Sequence, residues 1–146
     1  MRMEGPWSAE TIASFLEAAV IPLRLGAVRA DGAPLVLSLW FVPIDGALCC
    51  ATSRDAYIVD LLRLDPRCAF EVASDLPPYK GVRGQARATL DNDQGAQVLD
   101  RLLRRYAVAP SSRLGRTLLA RAHNETAIRV MPHSIMSWDF TSRMTQ

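Results

Sequence analysis

The chain predicts an α+β protein built on an antiparallel sheet, closed as a barrel or folded as a sandwich. Three observations predict it. Strand-type segments outnumber helical ones; Gly-containing joints, Asp31-Gly32 and Asp45-Gly46, separate the early strands at hairpin length. Helical segments are also inserted between strands without the regular alternation of a parallel sheet. The 146 residues, 49% hydrophobic and 22% charged, suit one domain over 1–146 with a core that needs no staples.

Each element has a local cause. Ser8 is an N-cap with Thr11 at N3, and Trp7 with Ile12 has the spacing of a hydrophobic staple. Ile12, Phe15, Leu16 and Ala19 then recur at helical spacing until Pro22 ends the helix. Strands follow at 23–30, 34–42 and 47–53, read as a meander of neighbouring antiparallel strands. In the second, Leu35, Leu37, Leu39 and Phe41 line one face and Val36, Trp40 and Val42 the other, with Ser38 the only hydroxyl. Both faces are apolar, so both should be covered: one by the core, the other by a partner subunit or a flat ligand.

Residues 51–67, ATSRDAYIVDLLRLDPR, read as a strand end running into a short amphipathic helix. Ile58, Leu61 and Leu62 share its buried face, and Asp65-Pro66 stops it before a strand at 67–74. Thr52, Ser53 and Arg54 sit where such a junction holds an anion, while Asp55 is a natural N-cap whose carboxylate would occupy the free N–H groups. After the loop SDLPPYK comes a strand at 81–91. Val82, Gly84, Ala86, Ala88 and Leu90 form its apolar face; Arg83, Gln85, Arg87 and Thr89 form its polar one. Gly81 and Gly84 mark a bulge or a close approach, for Gly84 that of a partner chain or cofactor. Helices at 94–107 and 111–121 precede two final strands near 125–131 and 135–140.

The net charge of +2 argues against a nucleic-acid partner. Arginines 101, 104, 105, 113, 116 and 121 make the 94–121 region basic, read either as a solvated helix surface or as an anion groove. No run reaches the ~18 apolar residues of a membrane span, and the start lacks a signal-peptide pattern, so the expected location is the cytoplasm. Cys49, Cys50 and Cys68 fit neither a disulfide framework nor a zinc pattern, and adjacent Cys49 and Cys50 would point to opposite faces of a strand. His123 and His133 have no companion ligands, so no metal site is expected. His123, Tyr57 and Tyr79 are the plausible proton-transfer groups, yet no neighbour singles one out, and no catalytic acid or base is assigned.

The order of these parts resembles the FMN-binding split barrels of the pyridoxamine 5′-phosphate oxidase-like superfamily, closest to their flavin/deazaflavin oxidoreductase branch. The likeness rests on PLRLGAVRADGAPLVLSLWFVP, GALCCAT, LRLDPRCAFEV, YKGVRGQARATL and MPHSIMSWDF in sequence over nearly the whole chain. It implies a six-stranded antiparallel split β-barrel with flanking helices that dimerises and holds FMN, or alternatively a deazaflavin, between subunits. Leu37, Ser38, Leu39 and Trp40 would lie along the ring through backbone groups. Thr52, Ser53, Arg54 and Tyr57 would approach the phosphate, supplemented by Lys80 or Arg83. Arg83 and Gln85 would come from the partner, with Trp138 near the rim. The implied activity is hydride transfer to or from a small conjugated substrate. Many members of the family carry Ser-Arg-Lys where this chain has Ala56-Tyr57-Ile58, which leaves a second reading: a degenerate split-barrel binding module without a catalytic flavin.

Overall fold

The computed structural model describes residues 1–144. Strand β1 (Arg2–Glu4) precedes helix α1 (Ala9–Ala18), followed by β2 (Leu23–Val28), β3 (Pro34–Leu39), β4 (Val42–Ile44) and β5 (Ala47–Ser53). Then come α2 (Tyr57–Leu64), β6 (Arg67–Ala73), β7 (Lys80–Asp91), α3 (Gly95–Arg105), α4 (Arg113–Ala120), β8 (Glu125–Asp139) and the short α5 (Thr141–Met144). One eight-stranded sheet runs in the order β3-β2-β6-β7-β8-β5-β4, with β1 added alongside β8. The β1–β8 pairing is parallel; the others are antiparallel.

The local signals operate as expected at the helix and turn boundaries. The Thr11 N–H donates to Ser8 Oγ at 3.2 Å, and Ile12 and Leu16 are the buried residues of α1. Trp7 packs on Phe15, with ring centroids 4.9 Å apart. Asp45 and Gly46 both have positive φ, 50° and 81°, the signature of a type I′ hairpin. At the other joint Gly32 takes φ 85°, and Asp31 Oδ1 accepts the Ala33 N–H at 3.0 Å.

Long-range pairing differs from the sequence reading in three places. The segment 34–42 is two strands, β3 and β4, interrupted at Trp40 and Phe41. It is not part of a meander: among the described residues β3 pairs only with β2, whereas β5 pairs with β4 and β8, so the Asp45-Gly46 hairpin joins β4 to β5. The two final strands are one, β8, which continues through Pro132 with a register irregularity opposite Gln85 and Ala86, where His133 is left without a partner on β7.

Because β3 lies at one edge of the sheet and β4 at the other, the two-residue link at 40–41 brings the edges round to each other. The end of α3 holds this corner. Trp40 stacks on Tyr106 at 4.7 Å and 9° between planes. The Tyr106 hydroxyl donates to Ile21 O at 2.8 Å and accepts the Phe41 N–H at 3.1 Å. Arg105 donates to the carbonyls of Glu17, Leu16 and Ala19 at 2.9, 2.8 and 2.9 Å, capping the C-terminus of α1, and its guanidinium lies 4.9 Å from the Phe41 ring centroid. Part of the basic 94–121 region is therefore a structural clamp, and Arg104 pairs with Asp100 at 2.7 Å.

The main core fills the inner face of the rolled sheet with Leu23, Leu25, Val59, Phe70, Val72, Val82 and Ile128. A smaller cluster of Val42, Ala47, Cys49, Val98, Leu102 and Ala127 sits where α3 covers β4, β5 and β8. Cys50 faces the first cluster and Cys49 the second, as strand alternation requires. Along β7 the small residues Val82, Ala86 and Ala88 are buried and Arg83, Gln85, Arg87 and Thr89 exposed. Among the described residues no helix is long and apolar enough to cross a membrane.

Candidate functional site

The outer face of β3, β2, β6, β7 and β8 carries a groove of about 640 Å³. Its floor is small: Gly26 and Ala69 leave a hollow between taller neighbours, and the backbone of Gly84 continues it. Val36, 71% exposed, forms one wall, and Met136 lies near the other. Alternation sends Leu23 and Leu25 inward and puts Arg24 and Gly26 in the groove. Cross-strand register sets Glu71 between Arg24 on β2 and Arg83 on β7. Arg2 and Glu4, an ion pair at 2.6 Å, form the lip. Arg83 also lies 5.7 Å from the Trp138 ring centroid. In the single chain this face is open, so the expected cover for the Val36 and Ser38 side does not come from the chain's own helices.

A second feature is the start of α2. The N-cap is Ala56, with no side-chain hydrogen bond to the first turn. This corrects the expectation that Asp55 caps it. Asp55 accepts instead from Asn124 Nδ2 at 3.2 Å, and Ser53 Oγ accepts both the Asp55 N–H and Asn124 Nδ2 at 3.3 Å. Arg54 Nε points to Glu125 O at 3.5 Å. The helix start therefore keeps free N–H donors, while two of the three anion-binding candidates beside it are held by their own chain. Capping this end should stabilise the fold: Ala56→Ser is expected to raise unfolding free energy by about 1 kcal/mol in a denaturant titration.

The residues expected from the sequence fall into separate groups. Arg83 and Gln85 line the groove. Ser38 is exposed on the same outer face of β3, while Leu37 and Leu39 pack towards the main core. Thr52, Ser53, Arg54 and Tyr57 gather at the α2 start, where Tyr57 is 54% exposed. Lys80 and Trp138 sit at the far end of the β7–β8 ladder, Lys80 opposite Asp139 and Trp138 opposite Gly81. The Trp40 side chain lies on Tyr106 and does not line the groove. Gly84 is a close approach, but of this chain: an added Cβ would meet the Ser134 carbonyl and the Phe70 ring. Sequence reading missed Arg24, Gly26 and Ala69. For Arg24 and Gly26 the signal was available in the alternation of β2, where Leu, Arg, Leu, Gly, Ala reads as core and outside by turns; for Ala69 it lay in the same alternation along β6.

Burial raises the Cys49 and Cys68 thiols, Cys68 to about 11, so both stay protonated. Glu125, 8% exposed, has Oε2 without a partner and its carboxyl is pushed up by burial, only partly offset by Arg121. A carboxyl with a raised folded-state pKa holds its proton more tightly in the native state, so stability falls as pH rises from the ordinary Glu value of about 4.3 through the raised one. Glu125→Gln is accordingly expected to stabilise the protein at pH 7, with the gain shrinking towards pH 4. Denaturant titrations of both proteins across this range check it; a constant difference sinks the assignment.

No family model and no curated protein matches the chain by sequence. Its fold does match solved structures, among them proteins described as reductases, oxidases and binders of FAD or heme. Protein Rv2991 of Mycobacterium tuberculosis superposes with a TM-score of 0.80 at 22% identity, covering 97% of this chain and 91% of its own. An F420 reductase gives 0.73 at 21% identity, over 89% and 97%. A FAD-binding protein from Mesorhizobium loti gives 0.62 at 19% identity, over 90% and 93%. Pyridoxamine 5′-phosphate oxidase-like and heme-binding proteins also share the fold.

Proposed function

We propose that the chain is a homodimeric oxidoreductase that binds FMN, with a deazaflavin as the alternative, and passes a hydride to or from a small conjugated substrate. The single observation that carries this is the open outer face of the sheet, where a groove floored by Gly26, Ala69 and Gly84 suits a flat ring and a second copy would supply the missing cover. Strands β2, β3, β5, β6, β7 and β8 would form the six-stranded barrel, with the three-residue β1 and β4 as additions.

The cofactor would be held in two parts. The backbone of Leu37, Ser38, Leu39 and Trp40 would edge the ring in one copy, with Arg83 and Gln85 offered by the other. The free N–H groups of α2 would take the phosphate, helped by Thr52 and the Tyr57 hydroxyl. Bound flavin supplies the two-electron chemistry, and the protein supplies orientation, exclusion of water and the charge of Arg24 and Arg83. A heme is a poorer fit, because the groove lining contains no histidine and only Met136 as a soft donor.

The second reading, a binding module without flavin, is favoured by the Ser53–Asp55–Asn124 network, which engages groups a phosphate would need. One experiment separates the two. Purified protein is scanned in the near ultraviolet and blue, then titrated with FMN and with a deazaflavin, while light scattering gives its mass. Binding at tens of micromolar or tighter by a dimer is the expected result; a monomer that binds neither overturns the proposal. Tyr57→Arg restores one cation on an exposed side chain and should tighten FMN binding about tenfold. Ile58 must stay, because it is 4% exposed and a lysine there would bury its ammonium in the core.

A further inference from the structure

Further round the outside of the rolled sheet, the first two turns of α3 and the β4–β5 hairpin enclose a second recess of about 420 Å³ that shares no residue with the groove. Two cations, Arg101 and Arg129, and two carboxylates, Asp45 and Asp91, line it together with the amides of Gln94 and Gln97. The opposite charges face one space without touching: among the described residues neither arginine has a carboxylate within 4.0 Å.

Arg129 is half-buried, and its Nη1 lies 3.8 Å from the Cys49 sulfur. Burial keeps that thiol protonated against the pull of Arg129 and Arg101, so it neutralises neither guanidinium. Asp91 is partly engaged, accepting the Asp93 N–H at 2.9 Å. A half-desolvated guanidinium is unfavourable without an anion, and Arg129, paired in register with Cys49 on β5, is set at the wall of this recess.

We infer that this recess binds a small zwitterion with the charge pattern of a free α-amino acid. Its carboxylate bonds to Arg129 and Arg101, its ammonium faces Asp45 and Asp91, and its side chain lies against Ile44 and Val98. A plain anion fits less well, because both aspartates would repel it; a plain cation meets the two arginines. The volume suits one amino acid with room for a few waters. With no lining residue in common, the two cavities can be occupied separately, and zwitterion binding here does not depend on a flavin in the groove.

The test is NMR titration of the full chain with the standard L-amino acids, each alongside its N-acetyl and carboxamide derivatives. At least one free amino acid should saturate shifts of residues 94–101 and 127–129 at about millimolar concentration, with both derivatives at least tenfold weaker. Arg129→Gln and Asp91→Asn should each weaken it about tenfold or more; the second change keeps an amide oxygen able to cap the turn at 92–94. Arg101→Gln, at an exposed position, is the variant that cannot be dismissed as misfolded. The inference is overturned if no amino acid binds in this range, if the N-acetyl form binds equally and shows a simple anion site, or if Arg101→Gln leaves affinity unchanged.

Discussion

Arg105→Ala is expected to destabilise the protein by about 3 kcal/mol, a fall in Tm of roughly 6–12 °C for a chain of this size. The side chain donates to three carbonyls at the end of α1 and covers the Phe41 ring at the corner joining β3 to β4. Each charge-assisted bond contributes about 1.5–3 kcal/mol, but the three share one guanidinium and do not add. Water can replace some donors at the half-open side, which lowers the total further. Arg105→Lys keeps the charge and loses the planar fork, so about half of the loss should return. Urea titration gives both numbers. A loss below about 1 kcal/mol for the alanine variant would show that the corner is held by Tyr106 and core packing alone.

Gly84→Ala should cost at least about 3 kcal/mol, more than a one-carbon change usually costs. The added Cβ falls on the Ser134 carbonyl and 2.9 Å from the Phe70 ring. The carbonyl belongs to the β7–β8 ladder and cannot move without breaking it, and Phe70 is 3% exposed in the core. Pairing the change with Phe70→Leu should return only part of the loss, because the carbonyl contact remains. Gly32→Ala is the control. Nothing lies within 4 Å of a Cβ there, so only the left-handed φ of 85° is strained, and the cost should stay near ~1 kcal/mol. Equal costs at the two glycines would mean that the sheet can open at Gly84.

The candidate site was legible in pieces. The polar face of β7, with Arg83 and Gln85, and the hydroxyl-rich junction at 52–54 both follow from residues a few positions apart. What those groups touch does not. Ser53 meets Asn124, and Arg54 meets Glu125, across 71 positions of sequence. The free state of the α2 start depends on this, because Asp55 turns to Asn124 and away from the helix. The groove likewise needs β2, β6 and β7 side by side before Gly26, Ala69 and Gly84 become one floor.

The amino-acid order alone determined an α+β chain with Ser8 starting the first helix, Gly32 and Gly46 turning the hairpins, and strands whose inner and outer residues alternate. These are properties of neighbours, set by backbone sterics, capping and period. Tertiary structure alone decided which strands pair, that the run at 34–42 breaks at Trp40 and Phe41, and that β8 is continuous. Those outcomes depend on distant groups competing for the same backbone donors and apolar surface. Tyr106 reaches Phe41 from 65 residues away, and no local pattern in either segment names the other.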